Sequence, residues 1–218
     1  MYGMISTGLG EIDAALGGGL KAGIVDIYGG PATGKTQFVL HMTKREIASG
    51  GRVLFQDTTG KFRPERLHEM LLADGMSGNL LELVDVSRAT NSKEQRRVLD
   101  RLGRHSLLVI DDITELFSFD YPQKLQLRKR NIIFVRYLMK LCKLSLENEM
   151  PVLAVNSVRS IDSVEKETMW RAMDMFTHVK MRLAVEGARD VRRYCTVRLP
   201  RTSLRIQYEI SAAGIKEV

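Results

Sequence analysis

The strongest chemical signal in this 218-residue chain is the run Gly29-Gly30-Pro31-Ala32-Thr33-Gly34-Lys35-Thr36. Glycine, four residues, glycine, lysine and a hydroxyl residue make up the phosphate-binding P-loop pattern. A glycine-rich turn lets successive backbone N–H groups point inward at phosphate oxygens, and a following helix presents its positive end to the same charge. Lys35 is then placed to reach the β- and γ-phosphates, and the Thr36 hydroxyl to ligate magnesium. A second acid is needed to hold the magnesium through water, and it ordinarily ends a buried hydrophobic strand. Leu107-Leu108-Val109-Ile110-Asp111 supplies one, which makes Asp111 the candidate. Binding of a nucleoside triphosphate with Mg²⁺ follows from this pair of motifs. Asp112 comes next in the chain and has two readings: a substitute catalytic acid, or a cap for the turn beginning at Ile113.

These side chains need elements to position them. Short apolar runs at 24–28, 52–56, 80–86, 106–110 and 151–156 read as strands, and the longer amphipathic stretches 35–48, 64–74, 91–104 and 124–148 read as helices. The alternation predicts an α/β fold. Beyond residue 175 the segments THVKMRLAV, RRYCTVRLP and SLRIQYEI alternate in the manner of strands, joined at Gly187 and Pro200. The sheet is therefore expected to be parallel at its centre and antiparallel at its C-terminal edge, within one domain over 1–218.

Composition narrows the class. The chain is 44% hydrophobic and 27% charged, which is ordinary for a globular protein. Cys142 and Cys195 are the two cysteines, far apart and without metal-ligand spacing, so neither a disulfide scaffold nor a zinc ribbon is expected. His41, His68, His105 and His178 do not cluster, and the methionines, Met139 and Met150 among them, fall beside core patterns. No basic-then-apolar leader and no 18-residue apolar run occur, so a soluble protein of a reducing cytoplasm, without membrane contact, is the expectation. Charge is unevenly spread: residues 1–120 carry 14 basic and 16 acidic side chains, whereas 121–205 carry 18 and 8. A one-sided positive field attracts polyanions, which makes nucleic acid a candidate partner of the later half.

Three further strings, ISTGLGEIDAALGGGL (5–20), DTTGKFRPERL (57–67) and DDITELFSFDY (111–121), together with GKTQ (34–37), resemble the RecA/RadA recombinase ATPase core, most closely its short archaeal RadB-like paralogues. The resemblance implies a RecA-like P-loop fold and adds Gln37 to the nucleotide-binding set. It also implies nucleotide held between neighbouring protomers, and single-stranded DNA bound by two loops at about Phe119–Arg130 and Ser157–Asp174. Arg128, Lys129 and Arg130 in the first loop, and Arg159, Trp170 and Arg171 in the second, become the DNA-contact candidates. For the first three the alternative is a solvated helix start; for Trp170 it is burial against the sheet.

The departures from the family pattern shape the functional expectation. The family's catalytic Glu stands in a DTEG-like string, and here the string is Asp57-Thr58-Thr59-Gly60, with Thr59 at the Glu position. The Gln that usually follows Asn at the end of the later strand is Ser157, after Asn156. No N-terminal helix-hairpin-helix domain and no Phe-x-x-Ala docking motif are recognised. The expected protein is a nucleoid-associated, ATP-binding accessory of homologous recombination and repair, hydrolysing weakly or not at all. Its partners are expected to be single-stranded DNA, a full-length RadA-like recombinase and other recombinase paralogues. An active DNA-stimulated ATPase that forms its own filaments, and a clock-like signalling ATPase that binds protein, are the rival readings.

Overall fold

The computed structural model describes residues 4–161, 164–187, 190–199 and 203–218; Pro200 lies outside them. The strands are β1 (Gly23–Gly29), β2 (Val53–Asp57), β3 (Val84–Arg88), β4 (Leu107–Asp111), β5 (Pro151–Ile161), β6 (Val164–Glu167), β7 (Thr177–Glu186), β8 (Arg192–Arg198), β9 (Ser203–Ser211) and β10 (Gly214–Glu217). Their spatial order is β10-β9-β8-β7-β1-β5-β4-β2-β3, with β6 paired to β5 alone. Pairing is parallel from β7 through β1, β5, β4 and β2 to β3. It becomes antiparallel from β7 outward through β8, β9 and β10. The expected α/β architecture, parallel in the centre and antiparallel at the C-terminal edge, is the one observed.

The central strands read as continuous apolar runs because both of their faces are covered. Along each strand, alternate residues enter opposite cores. Val25, Ile27, Val53, Phe55, Leu107, Val109, Leu153 and Val155 face α2 (Lys35–Ala48) and α3 (Pro64–Ala73). Ile24, Leu54, Leu108, Ile110, Val152 and Ala154 face the other way, toward α5 (Glu115–Asp120), α6 (Leu127–Glu147) and α7 (Trp170–Phe176). There Phe117, Phe134 and Tyr137 form an aromatic cluster with ring centroids 5.0–6.4 Å apart. A first short helix, α1 (Gly10–Ala15), and α4 (Ser92–Arg97) complete the helical layers.

Four expectations are corrected. The strand read at 80–86 begins at Val84, because Gly78–Leu83 forms a 3-10 turn capped by the Ser77 side chain. That turn packs Leu80, Leu81 and Leu83 onto the core as a group, which an alternating strand cannot do. The helix read at 91–104 ends at Arg97 and tightens into a 3-10 turn over Val98–Arg101, which buries the adjacent pair Val98 and Leu99. The helix read at 124–148 is α6 proper only from Leu127, with a 3-10 turn at Lys124–Gln126 before it. Finally, the two expected DNA loops are largely regular structure. Phe119–Arg130 runs from the end of α5 into α6, and 157–174, apart from residues 162 and 163, which lie outside the described residues, holds the extension of β5, its antiparallel partner β6 and the start of α7. Cross-strand pairing of Val158 with Glu167 and Arg159 with Lys166 satisfies backbone groups that an open loop would leave to water.

Candidate nucleotide cleft and adjoining cationic patch

The loop between β1 and α2 takes its path from two left-handed residues, Ala32 (φ 59°) and Gly34 (φ 92°), which turn the chain sharply into the helix. At Gly29 the backbone passes so near β7 that a Cβ would lie 2.2 Å from the Leu183 carbonyl oxygen, so only glycine fits. Thr33 Oγ1 donates to the Gly30 carbonyl (2.9 Å), and Lys35 Nζ donates to the Gly29 and Gly30 carbonyls (2.8 and 2.7 Å). Burial holds the Lys35 ammonium below the usual lysine range. Thr36 Oγ1 donates to Asp111 Oδ2 at 2.7 Å, so the two magnesium candidates converge from the first turn of α2 and the end of β4. Burial pushes the Asp111 carboxyl up to about 6, the cost of placing a carboxylate where a cation would compensate it. A cleft of about 400 Å³ opens over this loop, and Pro31, Ala32, Lys35, Thr36, Gln37 and Asp111 all line it. Gln37 is braced from the side, its Oε1 accepting from Arg66 Nε at 2.9 Å.

Thr59 lines the opposite wall of the cleft. Its loop is tied to Asp57, whose Oδ1 accepts from the backbone N–H groups of Thr59, Gly60 and Lys61 and whose Oδ2 accepts from that of Phe62. Thr58 locks the same loop to β4: its hydroxyl donates to the Asp112 carbonyl (2.7 Å) and accepts from the Asp112 N–H (2.6 Å). The Asp112 carboxylate is engaged on both oxygens. Oδ1 accepts from the Thr114 and Glu115 N–H groups at 2.6 and 3.1 Å, and Oδ2 accepts from Ser157 Oγ at 2.6 Å. Of the two readings for Asp112, this geometry matches the cap of the turn beginning at Ile113, which leads into α5.

Sequence reasoning overlooked Lys61 and Glu115, which also border the cleft. Partial burial, reinforced by Asp112, raises the Glu115 carboxyl above the ordinary range. Among the described residues its carboxylate accepts no hydrogen bond, in contrast to that of Asp112. In the sequence Glu115 lies only four residues beyond Asp111, past the turn that leads from β4 into α5. It carried no motif.

Ser157 leads out of the cleft along β5 to the DNA-contact candidates. Arg159 and Lys166 stand directly opposite each other in the β5–β6 hairpin, like charges in a position that ordinarily favours opposite ones. Lys166 and Arg171 lie over the Trp170 ring, 5.6 and 5.3 Å from its centroid. Trp170 is half-buried, between the two alternatives expected for it. Arg130 enters the same field: partial burial and the neighbouring Arg159 both disfavour its charge. Arg128 and Lys129 are exposed at the start of α6, with Lys129 Nζ 5.8 Å from the Tyr121 ring centroid. The structure thus brings Arg130, Arg159, Trp170 and Arg171 toward one another from α6, β5 and α7. Among the described residues no cluster of His, Cys, Asp and Glu is arranged to hold a metal, and no helix is long and apolar enough to cross a membrane.

Comparison with known proteins gives this geometry its context. Residues 3–217 match the family model Rad51. The chain is similar to the DNA repair and recombination protein RadA of Cenarchaeum symbiosum, 36% identical over 172 residues that cover 72% of this chain and 43% of the relative. It is similar to the meiotic recombination protein DMC1 of Saccharomyces cerevisiae, at 33% identity over 72% of this chain and 51% of the relative. A third relative, the DNA repair protein RAD51 homolog A of Zea mays, is 29% identical over 88% of this chain and 63% of its own length. The chain spans about half the length of the curated relatives it matches. With the match running from Gly3 almost to the last residue, the chain belongs to the Rad51 family.

Proposed function

We propose that this chain is a single RecA-like core that binds ATP and Mg²⁺ and acts as a RadB-like accessory in homologous recombination and DNA repair. In this reading it works in the cytoplasm on nucleoid DNA, engages single-stranded DNA, a full-length RadA-like recombinase or both, and turns ATP over slowly or not at all. One observation carries the reading: the cleft pairs a complete phosphate grip with Thr59 on the wall where the family places its catalytic Glu. Thr36 and Asp111 would hold magnesium, which neutralises triphosphate charge when bound. Lys35 would exchange its two carbonyl acceptors for phosphate oxygens. A threonine hydroxyl is no base near neutral pH, so Thr59 can orient water but not take its proton. The arginines Arg130, Arg159 and Arg171, together with Trp170, suit a strand whose phosphates pair with arginine and whose bases stack.

Glu115 favours a second reading, an active DNA-stimulated ATPase, because its carboxylate borders the cleft without a hydrogen-bond partner among the described residues. Steady-state hydrolysis with and without single-stranded DNA, alongside equilibrium binding of a non-hydrolysable ATP analogue, separates the two. Tight binding with slow turnover that Glu115→Gln leaves unchanged supports the accessory reading. Brisk, DNA-stimulated turnover abolished by Glu115→Gln establishes the enzyme. Absence of nucleotide binding overturns both.

A further inference from the structure

Leu125, Ile132, Met139 and Leu146 are all exposed (94%, 43%, 55% and 56%) and recur every seven residues along α6 and the turn before it. Val135 and Cys142, only partly buried, fall between them at the second position of the same repeat. The helix already buries a separate face through Phe134, Tyr137, Leu138, Leu141 and Ser145, so this seam is additional to the one that joins α6 to the sheet. An apolar 4-3 repeat is what a helix presents to another helix. Fold stability alone gives no reason to leave large apolar side chains exposed at that interval.

The flank of the seam specifies the partner's charge. Lys129, Arg136 and Lys143 lie alongside it at the same seven-residue interval. Beyond Arg136 a second cleft of about 430 Å³ opens between α4 and α6, where Lys93, Arg96 and Arg97 face Arg136 and Lys140 across an apolar floor of Ile133 and Tyr137. Lys140 is paired with Asp100 and Lys143 lies 3.6 Å from Glu147, whereas Lys93, Arg97 and Arg136 make no ion pair among the described residues. A second copy of the chain would bring the same cations to the same seam and be repelled. A bare phosphodiester strand would meet the cations but leave the apolar row uncovered. An amphipathic helix with apolar residues on one face and carboxylates beside them matches both features.

We propose that the outer face of α6, together with the cationic α4–α6 cleft, docks an acidic amphipathic helix of a partner protein. The proposal does not depend on the nucleotide reading, and its test needs no ATP. The probe is a synthetic 21-residue peptide with Leu at the first and fourth positions of each heptad and Glu beside them. A scrambled peptide of the same composition, a charge-swapped peptide with Lys for Glu, and a single-stranded oligonucleotide serve as comparators. Affinity is read by fluorescence anisotropy on the full chain, and hydrogen exchange locates the contact. The expected result is preferential binding of the heptad peptide with protection of α6, weakened about tenfold by Arg136→Glu and about a hundredfold by Ile132→Asp with Met139→Asp. The charge-swapped peptide should recover affinity for Arg136→Glu, which a merely misfolded variant would not show. Equal binding of the scrambled peptide overturns the proposal, as does protection of this face by the oligonucleotide alone. Concentration-dependent dimerisation lost in Met139→Asp would assign the seam to a second copy and equally overturn it.

Discussion

The two walls of the nucleotide cleft use their side chains differently. On one wall, Lys35 at the start of α2 donates to the carbonyls of the β1–α2 loop and Thr36 donates to Asp111 at the end of β4, where an entering triphosphate and its cation would meet them. On the facing wall, Asp57, Thr58 and Asp112 spend nearly all their hydrogen-bonding capacity on holding backbone, and Thr59 brings a hydroxyl that itself donates to Asp57 Oδ1 at 3.3 Å. A phosphate grip consists mostly of main-chain path plus one cation and one magnesium ligand pair, so it tolerates change around it. Hydrolysis depends on a single acid in a single place. The two capabilities can therefore separate in a family without disturbing the fold.

The sharpest way to break this comparison is Lys35→Ala. Nucleotide affinity should fall about 100-fold or more, since a buried charge-assisted contact is lost. Isothermal titration with a non-hydrolysable analogue measures it, and an unchanged constant would leave the first wall without a function. Next in size, Thr59→Glu should raise steady-state turnover by about 10- to 100-fold while binding changes little, reaching at most the bottom of the roughly 10²- to 10⁴-fold range of a base in its native setting. If turnover stays flat, Ser157 or the absence of a neighbouring protomer is the limiting deficit.

A smaller effect tests whether Asp112 holds structure. Asp112→Ala removes the acceptor of the Thr114 and Glu115 N–H groups and of the Ser157 hydroxyl, and should lower stability by roughly 2 kcal/mol, or about 4–8 °C in Tm. Calorimetry checks this, and a catalytic role would instead appear as lost turnover at unchanged Tm. Smallest are the single-charge changes in the cationic patch. Arg159→Ala should flatten the slope of log K against log salt for single-stranded DNA by about 0.7, and reversal of Arg128, Lys129 and Arg130 by about 2. A wild-type slope in both variants would remove the patch from DNA binding.

The central sheet was legible because both-face burial leaves apolar runs that alternate between two cores, and Val25, Val53, Val109 and Val155 carry that pattern openly. The phosphate grip was legible for a related reason: glycine and lysine at fixed spacing encode a backbone path. What stayed hidden depends on contacts between distant residues. No local pattern announces that Asp57 will gather four backbone N–H groups, or that Ser157 will donate to Asp112, 45 residues away. The hairpin at Val158–Glu167 was read as a loop because the family resemblance implies a DNA-binding loop after that strand, and no local pattern contradicted it. Its pairing is an extension of β5, begun by the sheet and only continued by these residues.

The phenol of Tyr208 in β9 donates to the carbonyl of Thr33, and the Ile210 side chain packs so close to Gly34 that a Cβ there would lie 2.8 Å from its Cδ1. The phosphate loop is thus propped by a strand 175 residues later in the chain. During synthesis the loop, its strand and its helix are complete long before that prop exists, and contacts between such distant segments form late because the intervening chain must first be closed. The proposed grip on phosphate would therefore mature only with the last strands, and acquisition of nucleotide affinity during refolding would act as a clock for the completed sheet.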